Sequence, residues 1–394
     1  MIYLDNAATT RCDPEVLREL VGFYEDFHGN PSGLHKLSWK AEQKIAEARS
    51  FFANYFKVQE SQVIFTSGGT EANNLAISGY LKRTSQKEKR QILTSPLEHA
   101  SVWEVVEDWK RKGNEVIYLP VDRWGQVDVG ACERLLTPHV ALVSLMAVNN
   151  EIGTLEPIEK IGQLIRQKYP KIAFHVDGVQ AFGKIHCSPW MQTVDFLTLS
   201  AHKIHGPLGS GALICSGRKK IEPLFWGGGQ EFGLRSGTQD TAAMMGFYLA
   251  AQKMIQNQSI YAEHVRRLND YFRQRLSQKA FSFYGVSPQQ ASPYILSVCF
   301  PGVSSEVLLR MLEEHEIYAS AGSSCQMKLK KTSRVLLAIG VNEKDRDSVI
   351  RFGLSKDTTR EEIDRTLEVL ENAIQRFFPR HKGPGEEPHK VSFS

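Results

Sequence analysis

Several short stretches of this chain carry residue types that could do chemistry together. Thr66-Ser67-Gly68-Gly69-Thr70-Glu71 follows a β-rich run and opens a helical pattern. Glycines at Gly68 and Gly69 let backbone approach an anion, the helix start offers N–H groups to a phosphate, and Thr70 adds a hydroxyl. An ordinary N-capped turn has the same appearance. Phe174-His175-Val176-Asp177-Gly178-Val179-Gln180 ends an apolar strand on a carboxylate, at the edge where parallel sheets gather ligands. Asp177 could pair with a protonated ring nitrogen, or merely cap the next turn. Leu199-Ser200-Ala201-His202-Lys203-Ile204-His205-Gly206-Pro207 places Ser200, His202 and Lys203 just behind another strand. A lysine in a partly dry pocket can lose enough basicity to form a Schiff base, although most lysines are simply solvated. Ser200 and His202 beside it are phosphate-type donors.

Three further residues extend the set. Ala319-Ser320-Ala321-Gly322-Ser323-Ser324-Cys325-Gln326 is a run of very small residues ending on a thiol. Such a run packs poorly, so we expect a mobile surface loop whose thiolate acts as a nucleophile if basic groups approach, Lys328, Lys330 and Lys331 among them. Arg351 sits in a short strand pattern and suits bidentate capture of a carboxylate as well as a surface salt bridge. His99 in Pro96-Leu97-Glu98-His99-Ala100 could stack on an aromatic ring or cap a loop. A phosphate cradle, a Schiff-base lysine, an acid for a ring nitrogen, an arginine for a carboxylate and a free thiol together match one cofactor, pyridoxal 5′-phosphate, acting on an amino acid.

The elements that must hold these residues alternate. A helical pattern over 35–57, short apolar runs near 63–65, 92–94, 115–119, 141–145, 172–176 and 196–199, and amphipathic stretches between them predict a largely parallel sheet covered on both faces. Gly-rich loops at 206–211 and 226–237 precede two helical stretches, 241–256 and 261–278. Beyond Pro288 the elements shorten: strand 294–300, helix 306–315, strand 349–352 and helix 359–377. This reads as an α/β fold with a smaller α+β domain. We expect the large domain over 14–258, the small one from 1–13 with 259–378, and a disordered tail over 379–394.

Composition sets the outer bounds. The 394 residues are 42% hydrophobic and 23% charged, which excludes a disordered or fibrous chain. A net charge of +4 is too weak to demand a nucleic acid or an anionic membrane. The start MIYLDNAATT lacks a basic, apolar leader, and no run approaches the roughly 20 apolar residues of a membrane span. The 6 cysteines show no C-x-x-C pair, which argues against a disulfide framework or a metal site. A cytoplasmic protein with reduced thiols is expected.

On Leu4–Thr10, Gly29-Asn30-Pro31-Ser32, Thr66–Asn74, Glu98-His99, Asn149–Gly153, His175-Val176-Asp177, Ala201-His202-Lys203, Arg235–Thr238 and the Cys325 stretch, the chain resembles the pyridoxal 5′-phosphate-dependent cysteine desulfurases of the NifS/IscS type. The resemblance implies a fold-type I homodimer that converts L-cysteine to L-alanine and passes sulfur to an acceptor protein, such as an iron–sulfur scaffold or a thiolation protein. It implies Lys203 as the cofactor lysine, Asp177 at the ring nitrogen, and Gln180 with Asn150 at the ring oxygen. His99 would stack on the ring and act as acid and base. Gly69, Thr70, Ser200 and His202 would hold the phosphate, with Thr238 reaching the partner subunit's phosphate. Asn150 and Arg351 would face substrate, and Cys325 would take the sulfur as a persulfide. The spacing after Cys325 resembles the long-loop subgroup. The chain departs from the family's usual residues at Gly33, Gly178, Leu208, Phe232 and Gln326. A selenocysteine lyase shares the same site, an aminotransferase has no need of the thiol, and a silent homologue would have no reason to keep the set.

Overall fold

A computed structural model describes residues 1–26, 29–84, 90–322 and 333–377. Cys325 and Gln326, with Lys328, Lys330 and Lys331, lie outside the described residues, as does the whole 379–394 tail. The strands in chain order are β1 (Ile2–Tyr3), β2 (Val63–Thr66), β3 (Gln91–Thr94), β4 (Glu115–Tyr118), β5 (Val140–Met146) and β6 (Ala173–Asp177). They continue as β7 (Phe196–Ser200), β8 (Gly211–Cys215), β9 (Tyr284–Gly285), β10 (Ile295–Cys299), β11 (Ile317–Tyr318) and β12 (Val349–Gly353).

Seven strands make the main sheet, in the order β2-β8-β7-β6-β5-β3-β4. From β7 to β4 every pairing is parallel. β5 reads Val-Ala-Leu-Val-Ser-Leu-Met and is buried along its whole length, the pattern of a central strand with helices on both faces. Its ends and those of β3, β6 and β7 all point the same way, so the loops that follow them crowd one edge.

The sheet departs from the sequence expectation at β8, which runs antiparallel to β7 and to β2. Residues 206–211 were expected only as a Gly-rich loop, and the strand that follows them had no separate signal. Gly211 is required there by close approach: a Cβ would sit 2.6 Å from the Leu199 carbonyl oxygen and 2.7 Å from Gly68 Cα. Because β8 is inverted, β2 regains the direction of β7, and Thr66 delivers the Gly68-Gly69 turn to the same edge as Asp177 and Ser200.

The helix Gly69–Thr84 then crosses beneath β6, β7 and β8, burying Ala72, Leu75, Ala76 and Ile77. The helices Lys36–Phe56 and Thr241–Gln256 cover the opposite face and pack on each other through Phe52 and Phe247, whose rings lie 4.8 Å apart. A separate core gathers Leu4 with apolar residues between Val265 and Ile374 around the sheet β12-β10-β9. The N-terminal residues join that core through β1, which pairs with β11, and through Asp5, which bridges to Gly353.

Candidate active site

The turn after β5 is built by Asn149, whose Oδ1 accepts from the N–H groups of Glu151 at 2.9 Å and Ile152 at 3.0 Å. This holds Asn150 at the sheet edge. Five such loops, after β2, β3, β5, β6 and β7, enclose a cavity of about 310 Å³. Gly69, Thr70, His99, Asn150, Asp177, Gln180, Ser200, His202, Lys203 and Arg351 all line it. The exception among the described candidates is Thr238, which is exposed and stands outside the lining.

Lys203 lies in a 3-10 turn directly after β7. Its Nζ donates to the carbonyl oxygen of Ala7 at 2.8 Å and also to that of Ala8. The N-terminal stretch is pinned in turn, because Thr10 N–H and Oγ1 both donate to the His202 carbonyl at 2.9 Å. Lysine and clamp thus hold each other across nearly 200 residues.

Asp177 Oδ1 accepts from Val179 N–H at 3.0 Å, so the carboxylate does cap the following turn. Its Oδ2 accepts from Asn73 Nδ2 at 2.8 Å, and that same amide reaches Ser101 Oγ. Asn73 was missed by sequence reading. The available signal was its i+3 spacing from Thr70, which puts both on one helix face.

His99 caps the helix Ala100–Arg111: its Nδ1 accepts from Ser101 N–H at 3.2 Å and lies 2.7 Å from Ser101 Oγ. An accepting Nδ1 leaves the ring proton on Nε2. Burial lowers its basicity, against the pull of Asp177 and with the help of the Lys203 charge. Burial and the Lys203 charge likewise bring His202 down to about 4, so both rings are neutral at pH 7.

Arg351 is 2% exposed. Its Nη2 donates to Asp5 Oδ1 at 2.9 Å and Ser320 Oγ at 3.2 Å, and its Nη1 donates to the Asn150 carbonyl at 2.9 Å. The guanidinium is therefore anchored by an internal carboxylate, while its buried Nε has no partner.

Glu98 and Glu151 also line the cavity, and burial raises both carboxyls. Glu98 accepts from Met146 N–H through Oε1, leaving Oε2 buried and unpartnered. Glu151 Oε2 accepts from Ser333 Oγ at 2.6 Å, and a Cβ on Gly322 would come within 3.4 Å of the same oxygen. Of the two described residues that flank 323–332, Ser333 is thus anchored at the cavity wall and Gly322 lies beside it.

The donor set fits pyridoxal 5′-phosphate. Ser200 Oγ is buried with no hydrogen-bond partner, beside the N–H groups that a helix leaves unpaired in its first turn. A Cβ on Gly69 would meet Val179 Cγ2 at 2.7 Å, so the backbone lies close against the turn that carries Asp177. Unpaired donors of this kind, next to an amine and a carboxylate, suit a phosphate and a protonated heterocycle.

The described positions that depart from the resembled family, Gly33, Gly178, Leu208 and Phe232, fall outside this lining. At Gly178 a Cβ would meet Leu197 Cδ1 at 2.7 Å and the Thr198 carbonyl at 3.0 Å, so an alanine must displace a neighbour on β7. Phe232 lies over the Arg49 guanidinium at 4.9 Å, and Leu208 is exposed.

The class-V aminotransferase family model matches residues 2–366. The mitochondrial cysteine desulfurase of Saccharomyces cerevisiae is 38% identical over 95% of this chain and 75% of its own length. A solved structure titled NifS-like protein superposes with a TM-score of 0.89 at 36% identity, covering 95% of this chain and 99% of that one. Another, SspA in complex with cysteine, gives 0.79 at 31% identity over 91% of this chain and 100% of that one.

Proposed function

Because the chain belongs to the class-V aminotransferase family and resembles its NifS-like cysteine desulfurases over nearly its whole length, we propose how its own residues divide the work of that activity. The protein is a pyridoxal 5′-phosphate enzyme that takes sulfur from L-cysteine and leaves L-alanine. The observation that carries the reading is convergence: Lys203, Asp177, Ser200, His202 and His99 share one cavity with Arg351 of the second sheet.

Bound pyridoxal 5′-phosphate supplies an electron sink for the bonds at the substrate's α- and β-carbons. Lys203 holds it and moves the substrate's α-proton, released from the Ala7 and Ala8 carbonyls when it does so. Asp177, steadied by Asn73, keeps the ring nitrogen protonated. Gly69, Thr70, Ser200 and His202 hold the phosphate. Gln180 and Asn150 face the ring oxygen, Asn150 facing substrate as well. His99 would stack on the ring, and its Nε2 proton would be the one available to the departing sulfur. Arg351 takes the substrate carboxylate, for which Nε and the second Nη1 N–H are the donors that Asp5, Ser320 and Asn150 leave unengaged.

Cys325 receives the sulfur. Its thiolate attacks the substrate's Sγ, an S–S bond forms as the C–S bond breaks, and the carbon product gains a proton and leaves as alanine. The net change is L-cysteine plus the Cys325 thiol giving L-alanine plus the Cys325 persulfide. An acceptor protein, a cluster scaffold or thiolation protein, then takes that sulfur. We assign the work to a homodimer in which Thr238 serves the partner subunit's phosphate, to a division into 14–258 and 1–13 with 259–378, and to the cytoplasm. The distinct core around β12-β10-β9 supports the division, and the exposure of Thr238 supports its role across subunits. No helix among the described residues is long and apolar enough to cross a membrane.

The test is product analysis on the cofactor-loaded protein with L-cysteine and a reductant. Equal amounts of alanine and sulfide are expected, and alanine without sulfur release would overturn the desulfurase reading. Cys325→Ser is expected to keep the cofactor's visible absorbance and lose sulfide release by at least ~100-fold. Unchanged release in that variant would remove Cys325 from the reaction.

A further inference from the structure

One buried amine beside the cavity has no part in the scheme above. Lys184 is 5% exposed and stands four residues beyond Gln180, in the turn after β6. Its Nζ donates to Gln180 Oε1 at 3.0 Å and lies 5.4 Å from the centre of the Tyr294 ring. Gln180 Nε2 donates to the Ala7 carbonyl at 2.8 Å, the same oxygen that accepts from Lys203 Nζ at 2.8 Å. An unbroken chain of contacts therefore runs from Lys184 through Gln180 and Ala7 to Lys203.

We propose that Lys184 is a positioning residue that fixes the rotation of the Gln180 amide, so that Gln180 presents an N–H rather than its oxygen to the cofactor's ring oxygen. A primary amide can enter such a pocket either way round, and only its neighbours decide which. Protonated Lys184 can only donate and the Ala7 carbonyl can only accept, so between them the amide turns its oxygen to Lys184 and its nitrogen to Ala7. One Gln180 N–H is then spent on Ala7 and the second remains for the cavity that Gln180 lines. A carboxamide turned the other way would set its oxygen against an oxygen of the ligand.

The surroundings keep the lock dry. Lys184 faces the Tyr294 ring on one side and the Lys203 charge on another; burial and that charge together bring its amine down to about 7. His202 and His205 feel its charge as well, and burial keeps both neutral at pH 7. Since the inference rests on the function proposed above, its test must separate the two.

The cofactor-free protein is titrated with pyridoxal 5′-phosphate, and the visible band of the loaded protein is titrated with pH, for the wild type, Lys184→Met and Lys184→Gln. Lys184→Met preserves length and loses the donor. Its cofactor dissociation constant is expected to rise about tenfold, the worth of one well-placed hydrogen bond. The band's apparent pKa is expected to rise by about one unit, because a weaker donor at the ring oxygen and a lost nearby cation push the same way. Lys184→Gln returns a neutral donor toward Gln180. It is expected to recover affinity to within about threefold of the wild type while its pKa stays raised. If Lys184→Met does not fold, Lys184→Leu, which also lacks a donor, takes its place in the affinity measurement. Affinity unmoved in the folded donor-less variant, whatever its pKa, would reduce Lys184 to packing and charge and overturn the inference alone. A wild-type protein that forms no visible band with the cofactor overturns the function reading, and this inference with it.

Discussion

Two clusters of buried charge in this molecule follow opposite rules. In the first, Arg49 and Glu231 satisfy one another and their surroundings. Glu231 Oε1 and Oε2 accept from Arg49 Nη2 and Nη1 at 2.7 and 2.8 Å, Phe65 N–H and Gln239 add further donors, and Arg49 also reaches the Val63 carbonyl. The rings of Phe65 and Phe232 flank the guanidinium at 5.0 and 4.9 Å. In the second, around the cavity at the sheet edge, Lys184 and Lys203 rest on amide and carbonyl oxygens, while Ser200 Oγ, Glu98 Oε2 and Arg351 Nε have no partner. A closed network holds the fold and asks nothing of a ligand, whereas a network left open inside a cavity keeps its donors in reserve. Unpaired polar groups of this kind lower stability until something binds them, which separates a binding site from a structural ion pair in physical terms.

Variants that exchange the two behaviours should break this contrast if it is false. The largest effect is expected from Lys203→Ala, which should abolish the cofactor's lysine-bound absorbance and cut alanine formation by at least ~1,000-fold, with the folded state intact by circular dichroism. An unaltered band would mean that another lysine carries the cofactor. Arg49→Ala should do the reverse, costing about 3–5 kcal/mol of stability by stranding Glu231 in the interior, while cofactor absorbance in the folded fraction stays normal. Urea unfolding of the cofactor-free protein reads that loss, and a cost below about 1 kcal/mol would mean that the pair is not closed as described.

A pH series sharpens the comparison next. Burial holds His175 down to about 3 and His202 and His205 to about 4. The unfolded chain protonates such rings below about 6.5, so it binds more protons than the fold between that pH and about 4. The contribution of these rings to stability must therefore fall as pH drops through that window, opposed in sign by the buried carboxyls of Glu98 and Glu151, which hold protons in the fold above the pH at which the unfolded chain releases them. Between pH 7 and 5 the cofactor-free His175→Asn variant should therefore lose less melting temperature than the wild type does, and an identical loss would place that ring in water.

The smallest effect is the most discriminating. Ser200→Ala removes an unpaired hydroxyl, so the cofactor-free protein should be as stable as the wild type or slightly more so, while the cofactor dissociation constant rises about tenfold. A hydroxyl that served the fold instead would give lower stability and unchanged affinity.

Much of this was legible in the chain. The strands β5, β6, β7, β10 and β12 and the helices 241–256 and 360–377 follow the expected patterns within a few residues, because continuous apolar runs and helical periodicity are local properties. Asp177 and Lys203 could be placed at strand ends for the same reason: Asp177 is the last residue of β6, and Lys203 lies in the short turn that follows β7. The inverted strand β8 escaped notice because its five residues sit behind a glycine turn and carry no mark of direction.

What residue types and order determine here is which side chains stand at the ends of which strands, and so the kinds of chemistry available at that edge. The sequence cannot say which carbonyl Lys203 rests on, that Asp5 anchors Arg351 from 346 positions away, or that Lys184 turns the Gln180 amide toward a carbonyl of the N-terminal stretch. Those facts depend on sheet order, on the reversal at β8 and on the return of residues 1–10 across the sheet edge. They are contacts between segments far apart in the chain, and only the packing of the whole domain chooses among the partners that local sequence leaves open.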